Sequence, residues 1–179
     1  VGSVTGQYCY LNSARALMTQ AQYGAETARA LFQEVYGHWR SLPPESRPRL
    51  YLNGLSLGSL NSDLSFDSYD IIDDPLHGAL WSGPPFRHQT WREATARRDP
   101  GTPAWLPEFR KGAVVRFMKQ DGVTGGNENP WGKLRILFLQ YPSDPITFFI
   151  FVTAWYALYL MAERRGKVVS PFLRWFPVV

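Results

Sequence analysis

The stretch from Leu50 to Ser59 constrains the fold of this chain more than any other. A run typical of a β-strand, Leu50 to Leu52, leads directly into Gly54-Leu55-Ser56-Leu57-Gly58, a Gly-x-Ser-x-Gly pentapeptide. In such a pentapeptide the serine stands on a tight strand-to-helix turn. The glycines two positions to either side let the strand and the helix approach without a clash of Cβ atoms. The stretch therefore predicts a turn that presents the Ser56 hydroxyl at the carboxyl end of a parallel strand.

The composition predicts one globular domain over residues 1–179, with 45% hydrophobic and 19% charged residues. The net charge of +4 comes from arginines that flank loops and helix ends, so the sequence argues against nucleic-acid binding. Cys9 is the one cysteine, which rules out an internal disulfide. The sequence has no Cys/His cluster with zinc spacing, no P-loop and no dinucleotide fingerprint, so it predicts neither a metal nor a cofactor.

Hydrophobic periodicity predicts alternating helices and strands, which is the pattern of an α/β fold with a mostly parallel sheet flanked by helices. The aspartates that follow Asn61 are expected to lie on a solvated face. The predicted elements are a helix from about Ala25, the strand into Ser56, a short helix and acidic loop over Asn61 to Ile72, a strand from Gly78, a helix from Thr90 to Arg98, a strand from Ala113 to Met118, a loop from Gly122 to Pro130, and a strand from Leu134 to Gln140.

A nucleophilic serine needs a base to take its proton and a carboxylate to orient that base. Asp144 comes just after the last predicted strand, at the sheet edge where Ser56 also stands. On folds with this turn the chain order is serine, acid, histidine, yet all the histidines precede Asp144. His38 is interpreted as a helix-end residue and His77 as lying across the sheet from Ser56. His88 is the one candidate base that the sequence places at the correct edge.

The run from Leu42 to Ser59 resembles the nucleophile segment of a bacterial α/β-hydrolase family that was formerly a domain of unknown function. The resemblance covers most of the chain from about Ala25 onward, and it implies an α/β-hydrolase fold that is truncated at both ends. By this resemblance Ser56 is the nucleophile and Asp144 is the acid of the triad. Further matching runs are Gly78 to Pro85, Ala96 to Pro103, Leu139 to Pro145 and Arg174 to Val179.

The resemblance also bears on the rest of the catalytic machinery. Val1 to Gly6 is similar to a Gly-Thr-rich turn of the family, which makes Thr5 and Gly6 candidates for the oxyanion hole beside the Leu57 N–H. The family's histidine would follow Val179. Members carry membrane-spanning helices ahead of the catalytic domain. The full-length protein is therefore expected at the bacterial inner membrane, and this segment is expected to be soluble or peripheral.

Residues 146–162 form a run of seventeen residues without a charge, rich in aromatic side chains. A helix packed on the sheet, a helix lining an acyl pocket and a membrane contact all fit this run. The leading hypothesis is a serine hydrolase that acts on a carboxylic ester or related acyl bond, with a small-molecule or lipid-like acyl substrate. The alternatives are an acyltransferase, and an incomplete scaffold or membrane-proximal binding module. The sequence predicts no oligomeric state.

Overall fold

A computed structural model of the chain describes residues 2–7, 11, 15, 16, 19, 21–124, 129–141, 144 and 147. The run 146–162, apart from Thr147, lies outside the described residues. The elements in chain order are α1 (Ala21–Ser41), β1 (Tyr51–Leu55), α2 (Leu57–Asp63), β2 (Gly78–Ser82), α3 (Gln89–Ala96), a 3₁₀ turn (Arg110–Gly112), β3 (Val115–Lys119), β4 (Gly122–Thr124) and β5 (Ile136–Leu139).

The strands form one sheet in the order β1-β2-β5-β3-β4. Strands β1, β2, β5 and β3 run parallel, and β4 pairs antiparallel with β3. The helices α2 and α3 connect or follow parallel strands, as the alternating sequence pattern requires. The predicted α/β class with a mostly parallel sheet is therefore confirmed.

The main core lies on the sheet face that α3 covers. The register pairs Trp81 with Phe138 and Phe117 with Phe138, so these three rings project from one face of neighbouring strands. All three are fully buried, and Trp91 and Ala94 of α3 pack against the same cluster. The Phe138 ring lies 5.5 Å from Trp81 on one side and 5.3 Å from Phe117 on the other, so it packs β5 against both neighbouring strands.

Helix α1 forms because its apolar residues recur at helical spacing, as the sequence predicts. Phe32, Tyr36 and Trp39 are buried and form a second cluster with Ile71 and Leu76. Their rings stack in sequence, with centroids 5.0 Å apart for Phe32 and Tyr36 and 5.7 Å apart for Tyr36 and Trp39. This stripe holds α1 beside the start of β1.

Two expectations from the sequence need correction. The short helix expected within Asn61 to Ile72 begins earlier, at Leu57, and ends at Asp63, and turns and bends follow it as the predicted acidic loop. The short segment Gly122–Thr124 is a strand, although the sequence predicts a loop there. It forms a strand because a tight turn folds it back onto β3, where Lys119 pairs with Gly122 and Phe117 pairs with Thr124.

Candidate active site

Ser56 stands between the end of β1 and the start of α2 with a strained backbone. Its φ of 52° and ψ of −119° lie in a region that residues with a side chain seldom occupy. The Ser56 N–H donates to the Ser82 carbonyl over 2.8 Å, and the Ser56 carbonyl accepts from the N–H and the hydroxyl of Ser59. The neighbouring strand and the helix therefore hold the serine in this conformation from both sides.

The close approach of strand and helix depends on Gly54. A Cβ atom at this position would lie 2.5 Å from the Gly58 carbonyl oxygen and 2.6 Å from the Ser59 Cα. Those distances leave no room for any side chain at position 54. By contrast, a Cβ atom at Gly58 would meet nothing within 4 Å. The expectation that both glycines relieve a clash is therefore met at Gly54 alone.

Leu57 is the first residue of α2, and the first N–H groups of a helix have no acceptor within the helix. Its side chain is buried, so its backbone is held while the N–H remains available at the turn. The Ser56 side chain is half-buried, and none of the described residues makes a hydrogen bond with its Oγ. Such a serine can be approached by a carbonyl carbon beside a helix N-terminus.

A cavity of about 450 Å³ lies along β1 and brings distant parts of the chain together. Thr5 and Gly6 line it, as do Gly54, Leu55 and Gly58 of the serine turn. The structure thus places the two candidate oxyanion-hole residues beside the turn that carries Ser56. Ser56 and Asp144 are not among the residues that line this cavity.

Asp144 lies beyond β5, where its N–H donates to the Tyr141 carbonyl over 3.1 Å. Its carboxylate contacts the end of β2, because the Oδ2 atom lies 3.0 Å from the point that a Cβ atom on Gly83 would occupy. Gly83 has a φ of +53°, which is easily adopted by glycine alone. A residue without a side chain therefore makes the space in which the Asp144 carboxylate sits.

The sheet order sets the spacing between Ser56 and Asp144. Ser56 follows β1, Gly83 follows β2 and Asp144 follows β5, and these strands are consecutive neighbours running parallel. Because adjacent strands lie about 4.8 Å apart, the two strand ends are separated by roughly 10 Å.

Two of the three histidines lie away from this edge. His77 precedes β2, and its Nδ1 accepts the Leu50 N–H over 3.2 Å at the start of β1. It is therefore at the opposite edge of the sheet from Ser56, where the sequence places it. His38 is exposed in the last turn of α1, consistent with a helix-end residue.

His88 is fully buried at the N-cap of α3. Its ring packs against Trp81 and Phe138, with centroids 4.8 Å and 5.1 Å away. Its Nδ1 lies 3.1 Å from the Asp63 Oδ2, and its buried Nε2 has no hydrogen-bond partner among the described residues. An Asp–His pair with a free Nε2 is the arrangement that orients a catalytic base. In this structure, however, the imidazole lies in the core, and its role as a base stays a prediction.

The Nδ1 of His88 also lies 3.3 Å from the backbone nitrogen of Trp91. One nitrogen cannot donate to the carboxylate and accept from the amide at once. The shorter contact to a charged partner favours the tautomer with a proton on Nδ1.

Asp63 corrects the expectation that the aspartates after Asn61 form a solvated face. Its side chain is only 7% exposed, and its two carboxylate oxygens accept hydrogen bonds from the N–H and the hydroxyl of Thr90. Burial raises the pKa of Asp63, but the interactions with His88 and Thr90 outweigh burial and hold this pKa below its usual value. Asp63 is thus an ionised, buried anchor at the end of α2.

Three residues around the site could not be assigned from sequence. Asp63 lies in an acidic stretch whose sequence is typical of a solvated loop, and the sequence around Gly83 indicates only the end of a strand. Gln140 is fully buried at the end of β5, where it accepts from the Trp91 indole and donates to the Trp105 carbonyl. In each case the partner lies far along the chain, so no local pattern signals the contact.

Within the described part of the chain, no group of three or more His, Cys, Asp or Glu side chains is placed to hold a metal ion. In the same residues, no helix combines the length and the apolar character needed to cross a membrane.

The parallel sheet, the strained serine at a strand-to-helix turn and the aspartate two strands away define a protein of the α/β-hydrolase class. The model of an alpha/beta-hydrolase family matches residues 1–179, and the chain belongs to this family. No curated protein and no solved structure matches the chain.

Proposed function

We propose that this chain provides the nucleophile of a serine hydrolase that acts on a carboxylic ester or a related acyl bond. The observation that carries the proposal is the left-handed φ of 52° at Ser56, within Gly-x-Ser-x-Gly and between a parallel strand and a helix N-terminus. A strained residue persists only where its surroundings enforce it, and such strain clusters at active sites. Family membership supports hydrolase chemistry in general.

In this proposal the Ser56 Oγ attacks the carbonyl carbon of the substrate while a base takes the hydroxyl proton. The resulting oxyanion receives the Leu57 N–H and contacts from the Thr5 and Gly6 segment. Loss of one such donor costs about 3–4 kcal/mol of transition-state stabilisation in comparable enzymes. The intermediate collapses to an acyl-enzyme on Ser56 and releases the alcohol, which takes the proton from the base. Water then releases the acid by the same route, and Asp144 stabilises the protonated base.

We propose that the acyl group of the substrate is apolar. The cavity beside the serine turn supports this, because its walls include Leu31, Phe32, Val35 and Leu52. The uncharged run 146–162 supports a lipid-like substrate and an association with a bacterial membrane. An acyltransferase would use the same acyl-enzyme with another acceptor in place of water.

A second candidate function is a binding module or scaffold that retains the hydrolase sheet without turnover. The positions of the three histidines favour this second candidate. His38 is exposed on α1, His77 lies at the opposite sheet edge and His88 is in the core. The two candidates differ in whether Ser56 is activated.

A fluorophosphonate probe distinguishes the two candidates, because it reacts with activated serines. We expect the probe to label the chain at Ser56 alone, as mapped by mass spectrometry of the labelled peptide, and we expect Ser56→Ala to abolish labelling. Ser65→Ala is the control, since Ser65 is also buried near α2 and its hydroxyl only donates to the Ser62 carbonyl. Loss of labelling in His88→Ala, with the fold intact, would assign the base to His88, and Asp63 rather than Asp144 would then be the carboxylate that orients it.

A chain that is folded by circular dichroism but not labelled would contradict the hydrolase proposal. The second candidate would then better explain a chain that keeps the strand-to-helix turn at Ser56 without a reactive serine.

A further inference from the structure

Helix α3 is hydrogen-bonded to the element that carries the nucleophile. The hydroxyl of Thr90 donates to the Asp63 Oδ1 over 2.6 Å, and the Thr90 N–H donates to the Asp63 Oδ2 over 3.2 Å. Asp63 is the last residue of α2, which begins immediately after Ser56. A shift of α3 at this point therefore moves the far end of the nucleophile's helix.

The next residue of α3 is bonded to the element that carries the acid. The Trp91 indole N–H donates to the Gln140 Oε1 over 2.6 Å. Gln140 is fully buried just after β5, four positions before Asp144. Its own amide donates to the Trp105 carbonyl over 2.7 Å, and its N–H donates to the Met118 carbonyl over 3.0 Å. The position of Gln140 is thus fixed by three directional contacts.

We propose that α3 acts as a brace that sets the separation between Ser56 and Asp144. Consecutive residues, Thr90 and Trp91, connect the end of α2 to the end of β5. The Thr90 hydrogen bonds are partly buried, and the Trp91 hydrogen bond is buried. Hydrogen bonds of this kind are directional and costly to break, whereas apolar packing tolerates small displacements. Trp91, Gln140 and Asp63 are then positioning residues for the reaction, and this inference rests on the proposed function.

The test compares two tryptophans that make similar bonds. Trp39 donates its indole N–H to the Pro48 carbonyl over 2.6 Å and is 5% exposed, while Trp91 is 8% exposed. Trp39 belongs to the α1 cluster and has no place in the brace. Trp91→Phe and Trp39→Phe remove the same group from a buried site, so both should lower the denaturation midpoint to a similar extent.

The full chain is assayed with a p-nitrophenyl ester below the unfolding range of both variants. The brace predicts that Trp91→Phe lowers kcat about ten- to hundredfold with little change in KM, because misplaced groups slow the chemical step. Trp39→Phe should keep the kcat of the unaltered chain. Equal losses of kcat in both variants, or an unchanged kcat in Trp91→Phe, would overturn the proposal.

Hydrogen exchange measured by mass spectrometry tests the brace without relying on catalysis. Trp91→Phe should speed exchange in peptides covering 57–63 and 136–141, and Trp39→Phe should leave both protected. If Ser56 of the unaltered chain is unreactive, the proposed function fails. Faster exchange of both segments in Trp91→Phe would still support the brace, and unchanged exchange in that variant would overturn it. Should Trp91→Phe not fold, Thr90→Val removes the hydroxyl contact alone and should speed exchange in 57–63; protection unchanged there overturns the brace.

Discussion

The candidate active site depends on two glycines that act by different means. Gly54 permits the backbones of β1 and α2 to approach, because a Cβ atom there would lie 2.5 Å from the Gly58 carbonyl oxygen. Gly83 takes a left-handed φ and leaves space for the Asp144 carboxylate. Sequence identifies Gly54 through its spacing from Ser56, whereas the role of Gly83 depends on a partner about sixty positions away along the chain.

We expect Gly54→Ala to destabilise the fold and Gly58→Ala to be tolerated. The first substitution overpacks backbone against backbone, which costs about 1–3 kcal/mol of the free energy of unfolding. The second adds a methyl group in open space on a helix, where alanine is favoured over glycine by about 0.5–1 kcal/mol. Chemical denaturation of both variants measures the difference. Equal stability of the two would contradict the role given to Gly54.

We expect Gly83→Ala to displace Asp144 and so reduce the reactivity of Ser56. Its control is Gly101→Ala, because Gly101 also has a positive φ, +85°, but a Cβ atom there meets nothing within 4 Å. Both variants incur a backbone strain of about 1–2 kcal/mol. Fluorophosphonate labelling rates should fall in Gly83→Ala alone. A matching fall in Gly101→Ala would show that strain, and not the Asp144 contact, is responsible.

Among the helices and strands, the sequence predicts those that have a clear hydrophobic period or an apolar run. The stripe of Phe32, Tyr36 and Trp39 is enough to predict α1, and it is the stripe that the core buries. The apolar runs that become β2, β3 and β5 are also visible in the sequence, with ends displaced by at most two residues. These runs are buried on a parallel sheet, so they lack the polar alternation that would mark other strand types.

The errors occur where a distant partner decides the structure. Gly122–Thr124 becomes a strand only through its pairing with β3. The sequence predicts a solvated Asp63, yet its carboxylate accepts from Thr90, which lies 27 positions further along the chain. The propensities of the local residues indicate neither contact.

We expect Asp63→Asn to lower the free energy of unfolding by about 1–3 kcal/mol near neutral pH, the cost of weakening buried hydrogen bonds to a charged group. The pKa of Asp63 is lower in the folded chain, so its contribution is complete above the unfolded pKa of about 3.9 and is lost as the pH falls through the folded pKa. The difference in the free energy of unfolding between the unaltered chain and Asp63→Asn should therefore become smaller below about pH 4.

Denaturation series across this pH range measure the gap. Asp67→Asn is the control, since Asp67 is 66% exposed and its contact with Arg29 spans 3.7 Å. That variant should change stability by less than about 0.5 kcal/mol at every pH. A gap for Asp63→Asn that stays constant into acid would contradict the buried, ionised state of this carboxylate.

For the molecule as a whole, the order β1-β2-β5 brings Ser56 and Asp144 to the same edge of the sheet, on the two strands that flank β2, although 88 positions separate them in the sequence. The sequence predicts that both stand at one edge, because the carboxyl ends of parallel strands meet there. It does not predict the intervening Gly83 or the polar contacts of α3, which arise only when the sheet assembles. Ser56 is therefore distinguished in two independent ways, by its Gly-x-Ser-x-Gly pattern and by its strained backbone between β1 and α2.

Trapping an acyl-enzyme tests whether Ser56 is the nucleophile. The chain is mixed with a p-nitrophenyl ester, quenched in acid within the first turnover and digested for mass spectrometry. We predict a burst of p-nitrophenol and the mass of the acyl group on the peptide that contains Ser56, both absent in Ser56→Ala. Ester hydrolysis that proceeds without acylation of Ser56, or that persists in Ser56→Ala, would contradict the assignment of this serine as the nucleophile.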